Sequence, residues 1–158
     1  MRFPQDDLPG IVGAGWQGVR GPEERCRETA RLLGVEAATV EERLRDCDHG
    51  RWRGLPLAEV VAAEPEGVRQ WLEDPDSAPH GGEPVSAVLL RVGEWLATLT
   101  PGRWLAVTHP GLVRAAVVVA LGAPAGAYRR VDVPPLGRAE LTGLGGRWNL
   151  RLPLKGSW

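Results

Sequence analysis

The sequence predicts an α/β fold, a three-layer αβα sandwich with a mostly parallel sheet. Three observations predict it. Helix-like and strand-like periodicities interleave along the chain. The stretch WLAVT is a short apolar run of the kind buried on both faces of a parallel sheet. GLVRAAVVVALG, which follows within a few residues, is apolar nearly all round, as a helix packed under such a sheet must be. At 158 residues the chain has the size of one domain, so residues 1–158 read as a single unit with a core of their own.

Residues 1–22 are rich in Gly and Pro and hold no sustained period, which predicts loop with one short strand near GWQGVR. PEERCRETARLLG follows, with acids in its first turn, apolar Ala30, Leu32 and Leu33, and Gly34 placed to cap its end: a helix. VEAATV suits a short strand. RLRDCDHGRWRG breaks the periodicity and mixes charge with tryptophan, as an ordinary surface turn or a functional loop does. LAEVVAAE and PEGVRQWLED predict two short helices split at Glu64-Pro65, and PDSAPHGGEP predicts a loop. Val85, Val88, Leu89, Val92, Leu96 and Leu99 then keep the i, i+3, i+4, i+7 spacing of an amphipathic helix. Pro110 suits the first turn of the helix after WLAVT, where its missing N–H would have no partner anyway. YRRVDV, RAELTG and RWNLRL alternate between Pro and Gly punctuation, which predicts three short strands.

Composition excludes several classes of function. A formal net charge of -1, from Lys+Arg 19 against Asp+Glu 20, gives no electrostatic pull toward nucleic acid or an anionic membrane. Cys26 and Cys47 lie far apart and form no metal-ligand spacing, so reduced thiols in a cytoplasmic protein are expected, with no disulfide framework, no metal and no cofactor. The longest apolar run, residues 115–121, is too short for a membrane span, and MRFPQDDLPG lacks a signal-peptide profile.

One histidine stands out by position. In open parallel sheets ligands collect beyond the C-terminal ends of the strands, where the following helices aim their positive N-termini outward. His109 in VTHPGLVRA sits at such a joint, beside the backbone donors of Gly111 and Leu112, a place that suits an anion such as phosphate.

Four motifs in register extend that observation: GPEERCRETA, LRDCDHGRWRG, PHGGE and VTHPGLVRA. In order and spacing they resemble the histidine phosphatase superfamily, the phosphoglycerate mutase-like proteins, from about residue 21 to about residue 152. The resemblance implies that fold. It also implies that Arg25 matches the arginine of the family's SPxxRxxQTA motif, which grips the transferred phosphoryl group, with Gly21 in place of Ser and Glu28 in place of Gln. Asp46 falls where the family's LxE glutamate donates a proton, one methylene shorter. His109 matches the second active-site histidine. Glu83 matches an acid at the pocket mouth, with His80 just before it.

The family's nucleophile is a histidine in an Arg-His-Gly motif on the first strand, and this sequence contains no such tripeptide. Laying IVGAG, residues 11–15, on that strand would put Ala14 at the nucleophile, and too few residues would remain for a crossover helix. The preferred register lays RFPQDDLP just beyond the motif, so that the first strand is lost and residues 1–20 are rearranged. Losing a nucleophile typically costs on the order of a millionfold in turnover. His49 and His80 are poor replacements on predicted loops.

Three readings follow. The leading one is an enzyme repurposed on this scaffold that acts on a small polar or anionic metabolite by acid–base chemistry, through isomerisation, elimination, cyclisation or addition. His109 and Asp46 would be catalytic, and Arg25, Glu83, Trp52 and His80 would bind substrate. The second is a non-catalytic relative that binds a phosphorylated ligand or partner. The third is a phosphomonoesterase whose Arg-His-Gly strand lies outside this sequence. Trp52 and Trp71 flank the loops expected to overhang the pocket, and with Trp16 they could wall an apolar substrate. Trp95, Trp104 and Trp148 read as packing. Losing a central strand would leave ladder groups unpaired, so the neighbouring strands, the N-terminal loop or a partner chain should cover the gap, which favours a homodimer.

Overall fold

The computed structural model describes residues 15–152. Its parallel sheet has three strands in the order β2-β1-β3, from β1 (Trp16–Arg20), β2 (Thr39–Val40) and β3 (Arg103–Val107). β1 pairs along its whole length with β3, from Trp16 opposite Arg103 to Arg20 opposite Val107. On its other side Val19 and Arg20 pair with Thr39 and Val40.

Helix α1 (Glu24–Leu32) connects β1 to β2, and α2 (Leu57–Ala63), α3 (Pro65–Glu73) and α4 (Val85–Thr98) lie between β2 and β3. α5 (Pro110–Ala120) follows β3 after one turn of chain. Strand alternation separates the layers. Val19 buries with Val88 and Val92 of α4 and Leu112 and Ala115 of α5, whereas Val107 buries with Cys26 and Ala30 of α1. The chain therefore leaves β1 toward one face and β3 toward the other. That reversal opens a crevice between their C-terminal ends, the usual ligand position of such sheets.

The expected helices and the strands of the sheet appear where the periodicity placed them, and the fold class holds. One expected strand does not. YRRVDV falls in a 3-10 turn at Ala125–Arg130 and irregular chain beyond it. Prolines at 124, 134 and 135 bracket the segment, and the turn lets Tyr128 bury while the Arg129 guanidinium stacks 3.8 Å from the Trp71 ring. The other two strands form an antiparallel hairpin, β4 (Glu140–Leu144) and β5 (Arg147–Arg151). Gly145 and Gly146 close it, both at positive φ as a two-residue turn requires.

The hairpin packs Leu141 and Trp148 on the main core but does not join the parallel sheet, and among the described residues the outer edge of β3 has no strand partner. The neighbouring strands thus do not close the expected gap. The N-terminal loop proposed as a filler falls largely on residues outside those described, as does IVGAG except for Gly15. Trp16 is the first residue of β1, with the Arg103 guanidinium 5.6 Å from its ring, and so belongs to the sheet. No helix among the described residues is long and apolar enough to cross a membrane.

Candidate functional site

The crevice is built from three turns. After β1 the Gly21 N–H donates to the Val107 carbonyl at 2.9 Å, carrying the ladder one residue past the strand. Glu23 then caps α1 by its backbone alone, for its side chain makes no bond to the first helical turn. The carboxylate instead crosses the crevice: Oε2 lies 2.9 Å from His109 Nε2, and Oε1 accepts the Asp46 N–H at 2.8 Å. Gly21 makes this path possible, since a Cβ there would stand 2.9 Å from Glu23 Oε2 and 2.7 Å from the Leu44 carbonyl.

His109 is the N-cap of α5 in extended conformation and is 2% exposed. Beside it the Thr108 hydroxyl donates to the Leu44 carbonyl at 2.7 Å, tying the end of β3 to the third turn. That turn brings Asp46 to the other ring nitrogen, with Oδ2 3.5 Å from Nδ1, while Oδ1 accepts the Cys47 N–H. Arg25 reaches the same carboxylate at 3.6 Å, from a side chain 72% exposed to solvent. Cys26, buried in the first turn of α1, puts Sγ 3.3 Å from His109 Nε2.

Arg91, reaching across from α4, holds this third turn in place. Its buried guanidinium donates to the carbonyls of Arg43, Arg45 and Asp46 and forms two bonds, 2.7 and 2.9 Å, to the Glu83 carboxylate.

Burial works to raise the Glu23 carboxyl, but the Asp46 N–H and the His109 ring outweigh it, and the net direction is down. Burial and then the Glu23 charge push the Cys26 thiol up to about 11. At neutral pH the crevice thus holds an ionised Glu23 and a neutral Cys26 thiol, which removes Cys26 as a nucleophile in its own right.

Three of the six residues expected from the sequence converge here, namely His109, Asp46 and Arg25. Asp46 reaches the imidazole despite its shorter side chain. The other three are placed differently. Glu83 is spent on Arg91 and Arg45 and touches the site only through the loop that Arg91 clamps, so it is a structural ion pair and not a mouth for substrate. Trp52 is 7% exposed, donates its Nε1–H to Glu64 and packs with Val60, Val68 and Trp71 in a separate core. Trp71 shares that core, so neither ring forms a free substrate wall.

His80 is 1% exposed within the same aromatic group, with His49, Trp52 and Trp71 edge-on around it. Its Nδ1 accepts the Gly82 N–H at 2.9 Å, while Nε2 has no hydrogen-bond partner among the described residues. Burial, then the neighbouring His49, lowers the His80 pKa from 6.5. The unfolded chain then takes a proton near pH 6.5 while the folded chain resists, so stability contributed above that pH is lost as pH falls toward the folded value. His80→Asn keeps an acceptor for Gly82 without a titrating ring, and it should flatten the dependence of urea stability between pH 7.5 and 5.5. An unchanged slope would show that His80 has no part in it.

Sequence reasoning missed Glu23, Cys26 and Arg91. Glu23 stood in the quoted GPEER but read as an acid favoured at a helix start. Its signal was chemical: an extra carboxylate two residues before an arginine expected to grip phosphate.

A model of the histidine phosphatase superfamily (branch 1) matches residues 17–153. A bifunctional protein of Mycobacterium tuberculosis is 33% identical over 112 residues, covering 58% of this chain and 30% of that protein. A glucosyl-3-phosphoglycerate phosphatase of Mycobacterium tuberculosis is 31% identical over 139 residues, covering 78% of this chain and 61% of the relative. A solved structure of mycobacterial glucosyl-3-phosphoglycerate phosphatase in complex with VO3 aligns with TM-score 0.71 and 29% identity, covering 86% of this chain and 74% of that one. The chain thus spans less than two thirds of the length of the bifunctional protein and of the phosphatase matched by sequence. The findings correct the leading sequence expectation: the similar proteins named for an activity over most of this chain are phosphatases, and none supports an acid–base isomerase or lyase.

Proposed function

This chain belongs to the histidine phosphatase superfamily (branch 1), and from that premise we propose that the crevice at His109 is the phosphate-ester site of a phosphomonoesterase acting on a small phosphorylated metabolite. The observation that carries the reading is the convergence of Arg25, Asp46 and His109 from three separate turns, with Asp46 Oδ2 3.6 Å from Arg25 and 3.5 Å from the imidazole. Arg25 and His109 grip the phosphoryl group beside two helix N-termini. Asp46 hands a proton to the departing alkoxide, a step worth roughly a hundredfold to ten-thousandfold where the leaving group is poor.

The attacking group is not among these residues. Of the chain's three histidines, His49 and His80 belong to the aromatic cluster around Trp52 and Trp71. The attack falls to water or to a histidine on polypeptide outside this sequence, and a phosphorylated imidazole trapped during turnover distinguishes the second from the first.

The test is a titration with inorganic phosphate and orthovanadate, alongside hydrolysis of p-nitrophenyl phosphate, in a chelator-containing buffer. Saturable binding is expected, weakened about tenfold in Arg25→Ala, with turnover lost in His109→Ala. Binding that ignores the Arg25 substitution would overturn the reading. A second reading, a phosphorylated ligand held without turnover, is favoured by one observation, that the two other histidines of the sequence pack in the aromatic cluster around Trp52 and Trp71 and not against His109. It predicts the same binding and no release of p-nitrophenolate.

A further inference from the structure

We propose that Glu23, Cys26 and His109 form a binding site for a divalent transition-metal ion, zinc above all. Their ligand atoms all lie within 4.8 Å of one another, and both of the other donors address one nitrogen: Glu23 Oε2 at 2.9 Å and Cys26 Sγ at 3.3 Å from His109 Nε2. Without an ion, the imidazole Nε2–H can serve Glu23 and the sulfur of Cys26 only as one shared donor, the thiol being a weak hydrogen-bonding group. A cation between the three satisfies all of them at once.

Distances and donor types agree. Zinc bonds of about 2.0–2.1 Å to nitrogen and oxygen and 2.3 Å to sulfur set tetrahedral donors roughly 3.3–3.6 Å apart, so the two donors on the imidazole nitrogen, at 2.9 and 3.3 Å, need to move out by only a few tenths of an ångström, and the carboxylate and thiol already lie within 4.8 Å of each other. One sulfur, one nitrogen and one carboxylate oxygen select a borderline ion over magnesium or calcium, which take oxygen sets. The surroundings fit as well. Asp46 faces the other ring nitrogen, Nδ1, where a metal-bound histidine carries its orienting carboxylate, and the Asp46 N–H fixes the second oxygen of Glu23. His109 and Cys26 are each 2% exposed, while the Glu23 side chain, 29% exposed, gives the ion a way in. Three protein ligands leave a fourth position for water. Glu23 and Cys26 are one turn apart at the start of α1 and His109 is far along the chain, so no sequence spacing advertises the set.

Coordination exchanges the thiol proton of Cys26 for the ion and releases that proton to the buffer. The probe is cobalt(II) chloride added to reduced, metal-free protein without phosphate. A near-ultraviolet sulfur-to-cobalt band with strong tetrahedral visible bands is expected, displaced by zinc chloride, and this readout needs no variant. Cys26→Ser should abolish the near-ultraviolet band and weaken zinc binding about a hundredfold, with folding checked by circular dichroism. Asp46→Asn should keep the band and weaken binding about tenfold or more, and Cys47→Ser should leave both unchanged. A folded wild-type chain without the sulfur band, or the same band in Cys26→Ser, would overturn the site. The inference stands apart from the phosphatase reading, because one test runs without phosphate and the other without metal.

Discussion

Replacing Arg91 with alanine is expected to lower the unfolding free energy by about 3–5 kcal/mol, the range seen when one partner of a buried ion pair is removed. The side chain is 8% exposed and its partner Glu83 is 11% exposed. Without the guanidinium, the Glu83 carboxylate keeps only Arg45 at 3.4 Å among the described residues, and the carbonyls of Arg43, Arg45 and Asp46 lose the same donor group together. The cost is the stranding of those groups and not the net worth of the pair, which is a smaller quantity. A double variant, Arg91→Met with Glu83→Gln, should therefore recover the part of the loss that comes from the stranded carboxylate and not the part that comes from the three carbonyls, as a double-mutant cycle would show. Urea unfolding at neutral pH is the measurement. A loss below about 1 kcal/mol would mean that the loop bearing Asp46 holds its shape without the clamp. The loss should also reach the site, because the clamped loop is what sets Asp46 against His109.

The same clamp shows what a sequence can and cannot disclose. The apolar spacing of α4 marks which face of that helix is buried, and Arg91 falls within it among Val88, Val92 and Trp95. Spacing does not say that an arginine there will reach back to residues 43–46. That contact depends on α4 packing against the face of the sheet opposite α1, and so on the strand order β2-β1-β3. Periodicity within a strand does not report its neighbours. His109 was legible because its position follows from a local rule, the joint of a buried strand and a helix. Glu23 and Cys26 were not, because their meeting with His109 requires β1 and β3 to be adjacent with oppositely directed connections. Trp52 misled for a related reason. Its loop context suggested an overhanging wall, while docking of α2 and α3 supplies Val60 and Val68 to enclose the ring. In YRRVDV the alternation was real, but among the described residues no strand stands beside it to pair with, and an unpaired ladder has nothing to hold it extended.

The crevice also carries a conflict between charge and assigned ligand, and Glu23→Gln is the substitution that exposes it. Phosphate binding should tighten by about tenfold to a hundredfold, ~1.4–2.8 kcal/mol. Unit charges 4 Å apart interact by ~4 kcal/mol at an effective dielectric of 20, and the partial exposure of this side chain screens part of that. Glutamine has the same shape and can still accept the Asp46 N–H, so the change removes a repulsion without emptying the turn. The sign with pH follows from the Glu23 carboxyl lying below its ordinary 4.5. The stability it lends is present above that pH and is lost as pH falls through the lower folded value, a leg of the acid-stability profile that Glu23→Gln should lack. Its charge is therefore in place at neutral pH, where phosphate affinity is to be measured by titration calorimetry. Zinc should respond in the opposite direction, since the variant gives up an anionic ligand. Tighter phosphate with weaker zinc would mean that one carboxylate sets which ion the imidazole receives. Unchanged phosphate affinity would place the bound anion away from His109 and remove the basis for reading the crevice as a phosphate-ester site.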